Sequence, residues 1–507
     1  MKAATNKAVI GVFLVLILLL SVILIRTLTY GVNQPAVTAC KPSDLDYISV
    51  QGRPLARFQE ALRFRTISWE QGKQEKEQLS LFRDFLIQEF PRIKAAPFIQ
   101  TEVVSNYSLL YSVTGTDPSL QPYLLSAHLD VVPAPTEKWE HDPFEAKIDN
   151  GFIYARGTVD DKHAVLGILE ALDFMLSQGK QPKTSFYIAF GHDEELAGYE
   201  GAQAIGQLLE SRGVQLAFLL DEGLVITDGV VPGARTPIAL IGTSEKGWLT
   251  IKASVNVSGG HSSMPEKESA IGILAGAVSR LEQNQHPSRL GTGDEVATFE
   301  HAVPVLPFAM KMIIANLWLF SSLMAKVMTG KPSTNALIRT STAITMFKAG
   351  VKENVISPYA EAVINHRIHP TDSVQSVLDH DIYLMNDPRI KVEVLQAMEP
   401  APASPHDENS LGYQVIKTSI RQVWAEKNPT VVPSIMIANT DTRWYHKITK
   451  NIYRFGPSYN YPEDLGRIHG INERLSVKNY EQVVNFFYHV MVNTDKGIVG
   501  HPSHNEL

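Results

Sequence analysis

The 507-residue chain has a single cysteine, Cys40. No internal disulfide can form, and a metal site built from several thiolates is excluded. Strongly basic runs are missing too, and the net charge is −7. Nucleic acid is therefore not expected as a partner. Internal repeats and low-complexity tracts are also lacking. What remains, 44% hydrophobic and 20% charged residues, is the composition of a folded globular protein. The length exceeds what one core holds, so two or three domains are expected.

Long apolar runs are almost as scarce. One unbroken run, Ala8 to Ile25, follows Lys2 and Lys7 and is closed by Arg26. It reads as a secretory signal or a signal-anchor that could tether the chain to a membrane through residues 8–25. A cleavage site fits weakly at Thr29-Tyr30-Gly31, so removal and retention both stand. Either way the body should enter the secretory pathway, to be secreted or held with a lumenal or extracellular face. The sequons Asn106-Tyr107-Ser108 and Asn256-Val257-Ser258 agree and nominate Asn106 and Asn256 for glycosylation. The ending His504-Asn505-Glu506-Leu507 only loosely resembles an ER-retention signal. A second apolar stretch, Ala302 to Met328, contains Pro304, Pro307, Lys311 and Lys326. These break it up, and an amphipathic or buried helix is expected there in place of a second span.

Four stretches carry the chemistry. Tyr123 to Ala127 is a strand signal ending in His128-Leu129-Asp130. A glycine turn, Ala155-Arg156-Gly157-Thr158-Val159, ends in Asp160-Asp161-Lys162. Phe186 to Phe190 leads into Gly191-His192-Asp193-Glu194-Glu195. Leu216 to Leu220 leads into Asp221-Glu222-Gly223. Helical patterns at Lys162 to Leu176 and Tyr199 to Ser211 separate the strands, which indicates a mostly parallel sheet. Ligands bind such sheets at the carboxyl ends of the strands. From Trp248 the order becomes β-α-β-β-α-β: Trp248 to Val257, Glu268 to Glu282, Ala343 to Lys348, Ala360 to Ile368, Val374 to Leu384 and Ile390 to Leu395. That is ferredoxin-like. The expected fold is α/β, a mostly parallel sheet domain with an inserted ferredoxin-like α+β lid. Residues 1–31 form the signal or anchor and 32–47 a linker. Residues 48–246 and 398–507 form the catalytic domain, and 247–397 the lid.

Histidines and carboxylates without cysteine suit zinc or another borderline divalent cation. One histidine and one carboxylate per ion, with a carboxylate shared, would hold a co-catalytic pair about 3.5–4 Å apart. Each residue also has a plain reading alone. Asp160-Asp161 could cap a helix, Glu194-Glu195 could be a solvated turn, and His261, Arg443 and His469 could be surface groups. The conjunction of acidic or histidine residues after successive strand signals favours the chemical reading.

The set His128-Leu129-Asp130, Gly157-Thr158-Val159-Asp160-Asp161-Lys162, Asp193-Glu194-Glu195, Gly259-Gly260-His261-Ser262-Ser263 and Asn439-Thr440-Asp441-Thr442-Arg443 resembles the motifs of the two-zinc aminoacylase/carboxypeptidase S family of metallopeptidases. The resemblance runs from about residue 50 to near the C-terminus. It implies a zinc-peptidase-like fold with two Zn²⁺ per subunit. His128 and Asp221 would bind one ion, Glu195 and His469 the other, and Asp160 would bridge them. Glu194 would be general base and acid, and Asp130 would orient His128. The Asp160–Asp161 bond is expected to be cis. His261 would hold the substrate carbonyl, often from the partner of a homodimer, and Arg443 would pair with a substrate carboxylate. Asn335, Asn365 and Arg367 are further candidates for substrate contact, with structural roles equally open. The implied reaction is hydrolysis, and reversible formation, of N-fatty-acyl amino acids. The alternatives are a carboxypeptidase or dipeptidase, and a catalytically inactive binding protein. The enlarged insert, Gln283 to Arg339, is either extra core or interface, or lines an acyl channel near Leu317-Trp318-Leu319-Phe320.

Overall fold

The computed structural model describes residues 2–497; the His504–Leu507 ending lies outside the described residues. Twelve strands build the two main sheets. In chain order they are β1 (Ile99–Val104), β2 (Ser108–Val113), β3 (Tyr123–His128), β4 (Phe186–Gly191), β5 (Leu219–Thr227), β6 (Ile238–Glu245), β7 (Gly247–Asn256), β8 (Ser341–Ala349), β9 (Tyr359–Ile368), β10 (Ile390–Met398), β11 (Thr430–Met436) and β12 (Ile452–Asn460).

The larger sheet has the order β11-β6-β12-β5-β3-β4-β2-β1. Its centre, β12-β5-β3-β4, is parallel, and β1 and β2 add an antiparallel edge. β3 is buried along its whole length, as a strand covered on both faces must be. Tyr123, Leu125 and Ala127 meet one apolar cluster, under the helices Lys162–Ser177 and Val477–Lys496. Leu124 faces the other way, toward Ile205 and Leu209 of the helix Ala202–Ser211. The register pairs Tyr123 with Phe186 and His128 with Gly191. The chains leaving β3 and β4 therefore emerge side by side.

The second sheet, β8-β9-β7-β10, is antiparallel. The helices Ala270–Gln283 and Val374–Met385 pack on it through Leu274, Ala277 and Val377. This is the expected ferredoxin-like order.

Two features depart from the local pattern. β5 starts at Leu219, not Leu216, and runs on through Asp221 and Glu222 to Thr227. β6 is a strand that the pattern does not announce. Part of the insert also leaves the lid. The helix Glu295–Ala302 lies on the larger sheet, where Thr298 Oγ1 donates to Pro433 O at 2.7 Å. Ala302, Val303, Leu306 and Ile314 close a cluster with Ile238 and Val432.

The N-terminal helix Lys2–Thr29 leaves its apolar side chains exposed from Val9 to Leu18. Its last turns are fastened to the insert. Arg26 Nε donates to Ala315 O at 3.0 Å, and Asn316 Nδ2 donates to Thr27 Oγ1 at 3.2 Å. Asn316 sits at the corner of two apolar helices, Phe308–Ala315 and Leu317–Met328, bent by 115°. Phe308, Trp318, Leu323 and Val327 are exposed on this pair.

Candidate metal centre

Five segments meet near the carboxyl end of the parallel strands, those carrying His128, Asp160, Glu194-Glu195, Asp221-Glu222 and His469. His128 is the last residue of β3. Asp160 ends the glycine turn, and its bond to Asp161 is cis, as expected. Gly157 in that turn has φ +88, and a Cβ there would lie 3.0 Å from Val131 Cγ1. Glu194 and Glu195 form one turn of 3₁₀ helix after β4. His469 follows β12 and holds a left-handed backbone, φ 56, a conformation that costs a side-chain-bearing residue energy and clusters at functional sites.

Asp160 is the centre of the group. One carboxylate oxygen lies 2.8 Å from His128 Nε2, and the other lies 2.8 Å from His469 Nε2. Glu195 Oε2 is 3.4 Å from His469 Nε2. Glu222 Oε1 is 3.7 Å from His128 Nε2. The structure thus brings His128, Asp160, Glu195 and His469 together as expected. For Asp221 it differs. Its carboxylate accepts from Ser126, and the adjacent Glu222 makes the approach to His128. Successive residues of a strand face opposite ways, and β5 continues through both.

Asp130 lies against both His128 and the Glu194-Glu195 turn. Its backbone oxygen lies 3.0 Å from His128 Nδ1. Its carboxylate also accepts from the backbone N–H groups of Glu194 at 3.1 Å and Glu195 at 3.3 Å, and from Ser68 Oγ at 2.7 Å.

The charge balance is unusual. Burial and the neighbouring Glu222 push Glu194 well above the usual carboxylate range. Burial and Asp160 push Glu222 up to about 7. Burial also works on Asp160, but hydrogen bonds from His128 and His469 hold its carboxyl below that range. Hydrogen bonds to Asp160 and Glu195 raise His469 to about 10. Glu195 Oε1 and Asp221 Oδ2 are buried without a hydrogen-bond partner. Buried carboxylates need compensation, and these donors are the N and O types that divalent cations take. The residues present therefore fit a metal pair.

Arg443 lies beside Glu194. Its Nη2 is 3.8 Å from Glu194 Oε1, and its guanidinium lies over the Trp248 ring. Arg367, on β9 of the lid, is hydrogen-bonded to Asn439 Oδ1. The cleft holds about 260 Å³ and is lined by Asp160, Glu194, Glu222, Asn439 and His469 among others. Neither His261 nor Asn335 lines it. His261 is exposed on the lid with Nδ1 2.8 Å from Ser263 Oγ, and Asn335 donates to Gln285 Oε1 at 3.4 Å. Asn365 is tied to Thr250 across the lid sheet. Leu317 to Phe320 do not line the cleft either, so the acyl-channel reading of that tetrad gains no support.

Two acids that hold the site escape sequence reasoning. Glu473 accepts from the N–H groups of Gly157, Val159 and Asp160 and pairs with Arg156 at 2.6 Å. Glu245 pairs with Arg454 at 2.7 Å and accepts from Asn439, Thr440 and Thr442. Each shapes a loop that carries site residues.

Residues 124–493 match the family described as Peptidase family M20/M25/M40. An N-fatty-acyl-amino acid synthase/hydrolase of Danio rerio is 46% identical, with 97% of each chain covered. The Homo sapiens protein of that description is 47% identical over 86% of each chain. A probable carboxypeptidase S-like protein of Dictyostelium discoideum is 41% identical, covering 98% of this chain and 94% of that one. Among solved structures, an M20 family metallo-carboxypeptidase from Sulfolobus solfataricus superposes with a TM-score of 0.64 at 16% identity, over 88% of this chain and all of that one. Human carnosine dipeptidase 1 gives a TM-score of 0.59 at 16% identity, over 88% of this chain and 97% of that one. The matched span takes in His128, Asp160, Glu195 and His469, and so the candidate metal centre and the sequence comparisons lead to one conclusion: the chain belongs to peptidase family M20/M25/M40.

Proposed function

We propose that the chain is a two-zinc amidohydrolase that cleaves N-fatty-acyl amino acids and, with fatty acid and amino acid abundant, forms them. One observation carries the chemistry: the Asp160 carboxylate divides its oxygens between His128 and His469 beside Glu194. The substrate class rests on the relatives of that description, which align over most of the chain.

In this reading Asp160, placed between His128 and His469, would be shared by the two ions. His128 with the Asp221-Glu222 pair would hold one, and Glu195 with His469 the other. Bound there, such a pair polarises a carbonyl and lowers the pKa of water. Glu194 takes the proton of the attacking water and delivers it to the amide nitrogen as the C–N bond breaks. Burial among other carboxylates makes it a better base than a solvated glutamate. Asp130 fixes the His128 ring and the Glu194-Glu195 turn. Arg443, with Arg367 beside it, receives the free carboxylate of the amino acid. His261, exposed and outside its own cleft, serves the cleft of a partner copy in a homodimer. Asn106 and Asn256 are both exposed, as glycosylation requires. The body faces the lumen or exterior, and the N-terminal helix stays as its anchor, fastened to the insert.

The test is release of phenylalanine from N-oleoyl-phenylalanine by the full chain beside Glu194→Gln. Wild type turns over, and the variant loses about 100- to 10,000-fold in kcat with its metal content unchanged. Turnover of dipeptides but not of the acyl substrate would replace this reading with a peptidase.

A further inference from the structure

The lid holds a second group of metal-ligating side chains, distinct from those of the cleft. His286 follows the helix Ala270–Gln283, His366 lies on β9, and Asp381 lies in the helix Val374–Met385. All three are buried, with 4%, 0% and 1% of their surface exposed. His366 Nε2 is 2.7 Å from Asp381 Oδ2, and His286 Nε2 is 3.6 Å from Asp381 Oδ1. Ligand atoms of the three lie within 4.8 Å of one another.

These atoms are close but poorly aligned for hydrogen bonds to one another. Both Nε2 atoms and both Asp381 oxygens are buried with no hydrogen bond of acceptable direction. Unpaired polar atoms in such a place are costly. The His366 ring is also fixed from behind, with Nδ1 3.1 Å from Thr342 Oγ1. That is how proteins set the tautomer and aim of a ligating imidazole. His286 is backed by His380, whose ring centre is 4.4 Å away. Two imidazoles and one carboxylate, buried and convergent, match the N and O donor set of zinc.

We propose that His286, His366 and Asp381 bind a divalent cation of the zinc type, a structural site separate from the catalytic pair. Its place in the chain gives it a purpose. His286 stands where the insert departs from the lid, and Arg339, where the insert returns, donates to His286 O at 2.9 Å. An ion there clamps the base of the insert to β9 and to the helix Val374–Met385.

The experiment counts zinc in the full chain by mass spectrometry after dialysis against metal-free buffer. The background is His128→Ala with His469→Ala, which disables the catalytic pair and leaves the lid intact. About one zinc per chain is expected to remain in that background. Adding Asp381→Asn, or separately His286→Gln, should remove it. In otherwise wild-type protein, Asp381→Asn should lower zinc from about three to two per chain, with circular dichroism reporting that the fold is kept. Absence of zinc from the doubly substituted background overturns the proposal, and that result does not depend on whether the lid variants fold. Zinc that stays bound after both lid substitutions overturns it as well.

Discussion

Asp130 reaches further than the histidine two residues before it. Its backbone fixes His128, while its side chain gathers the N–H groups of Glu194 and Glu195 and the hydroxyl of Ser68. One residue thus positions a proposed ligand from β3 and the turn carrying both the proposed base and another proposed ligand. Asp130→Ala is expected to weaken zinc binding by about 10- to 100-fold, read by competition with a chromophoric chelator, and to lower kcat besides. Asp130→Asn, which keeps one acceptor oxygen, should fall between. An unchanged zinc affinity in the alanine variant would deny Asp130 this role. The sequence exposes residues of this kind because each follows a run of apolar residues that ends abruptly. Glu473 and Glu245 have no such marker. Glu473 acts through backbone groups some 313 to 316 positions away in the chain, and Glu245 through Arg454. A lone acid in a turn or at a strand end looks the same whether or not a distant loop leans on it. Asp221 and Glu222 show a subtler limit. Which of two adjacent acids faces His128 depends on whether the strand ends before them or runs through them.

Elements reveal a similar division. The runs at Tyr123 and Phe186 are readable because both faces of those strands are buried, leaving no polar interruption. β6 is hidden. It contains Thr243, Ser244 and Glu245, all buried, and Thr243 and Glu245 are met by Ser434 and Arg454, partners from after residue 430. Gly242 allows the approach of Arg454, whose Cβ would lie 3.0 Å from an added Cβ. Local alternation cannot report such partners. The N-terminal helix is the opposite case, plain as an apolar run yet silent about its fate. Its fastening through Arg26–Ala315 and Asn316–Thr27 argues that it is kept. Protein isolated from cells should therefore retain residues 8–25 and resist extraction from membranes by alkaline carbonate. N-terminal sequencing that begins near Val32 would overturn retention. The bent pair Phe308–Ala315 and Leu317–Met328, with its exposed aromatic and aliphatic side chains beside this helix, would then meet lipid.

At the scale of the molecule, Lys246 joins the two halves. It lies between β6 and β7, and its ammonium donates to Ala336 O and Arg339 O at 2.8 Å each. Burial, with Arg367 adding to it, pushes Lys246 down to about 7, against about 10.4 for a free lysine. Between those values the unfolded chain binds more protons than the folded one, so through this group stability rises with pH from about 7 to 10. Its penalty is fully present below that window and gone above it. Lys246→Met should flatten this part of the pH dependence. The gain in thermal midpoint between pH 7 and pH 9.5 should be smaller in the variant than in the wild type. Equal gains would mean that Lys246 keeps its ordinary proton affinity in the fold.

The strand order has one more consequence, for the chain as it is being made. β12, formed by residues 452–460, lies inside the sheet between β5 and β6. Without it, β5 and β6 meet only where Ile226 and Thr227 pair with Ala239 and Ile238. His469 comes later still. A nascent chain therefore carries a split sheet with open edges, which invite pairing with other chains, and it has one histidine of the metal pair. A stop codon before Ile452 removes an interior strand, not a tail. Such a product faces the quality-control machinery as a misfolded chain, and the proposed centre can load ions only after His469 has left the ribosome.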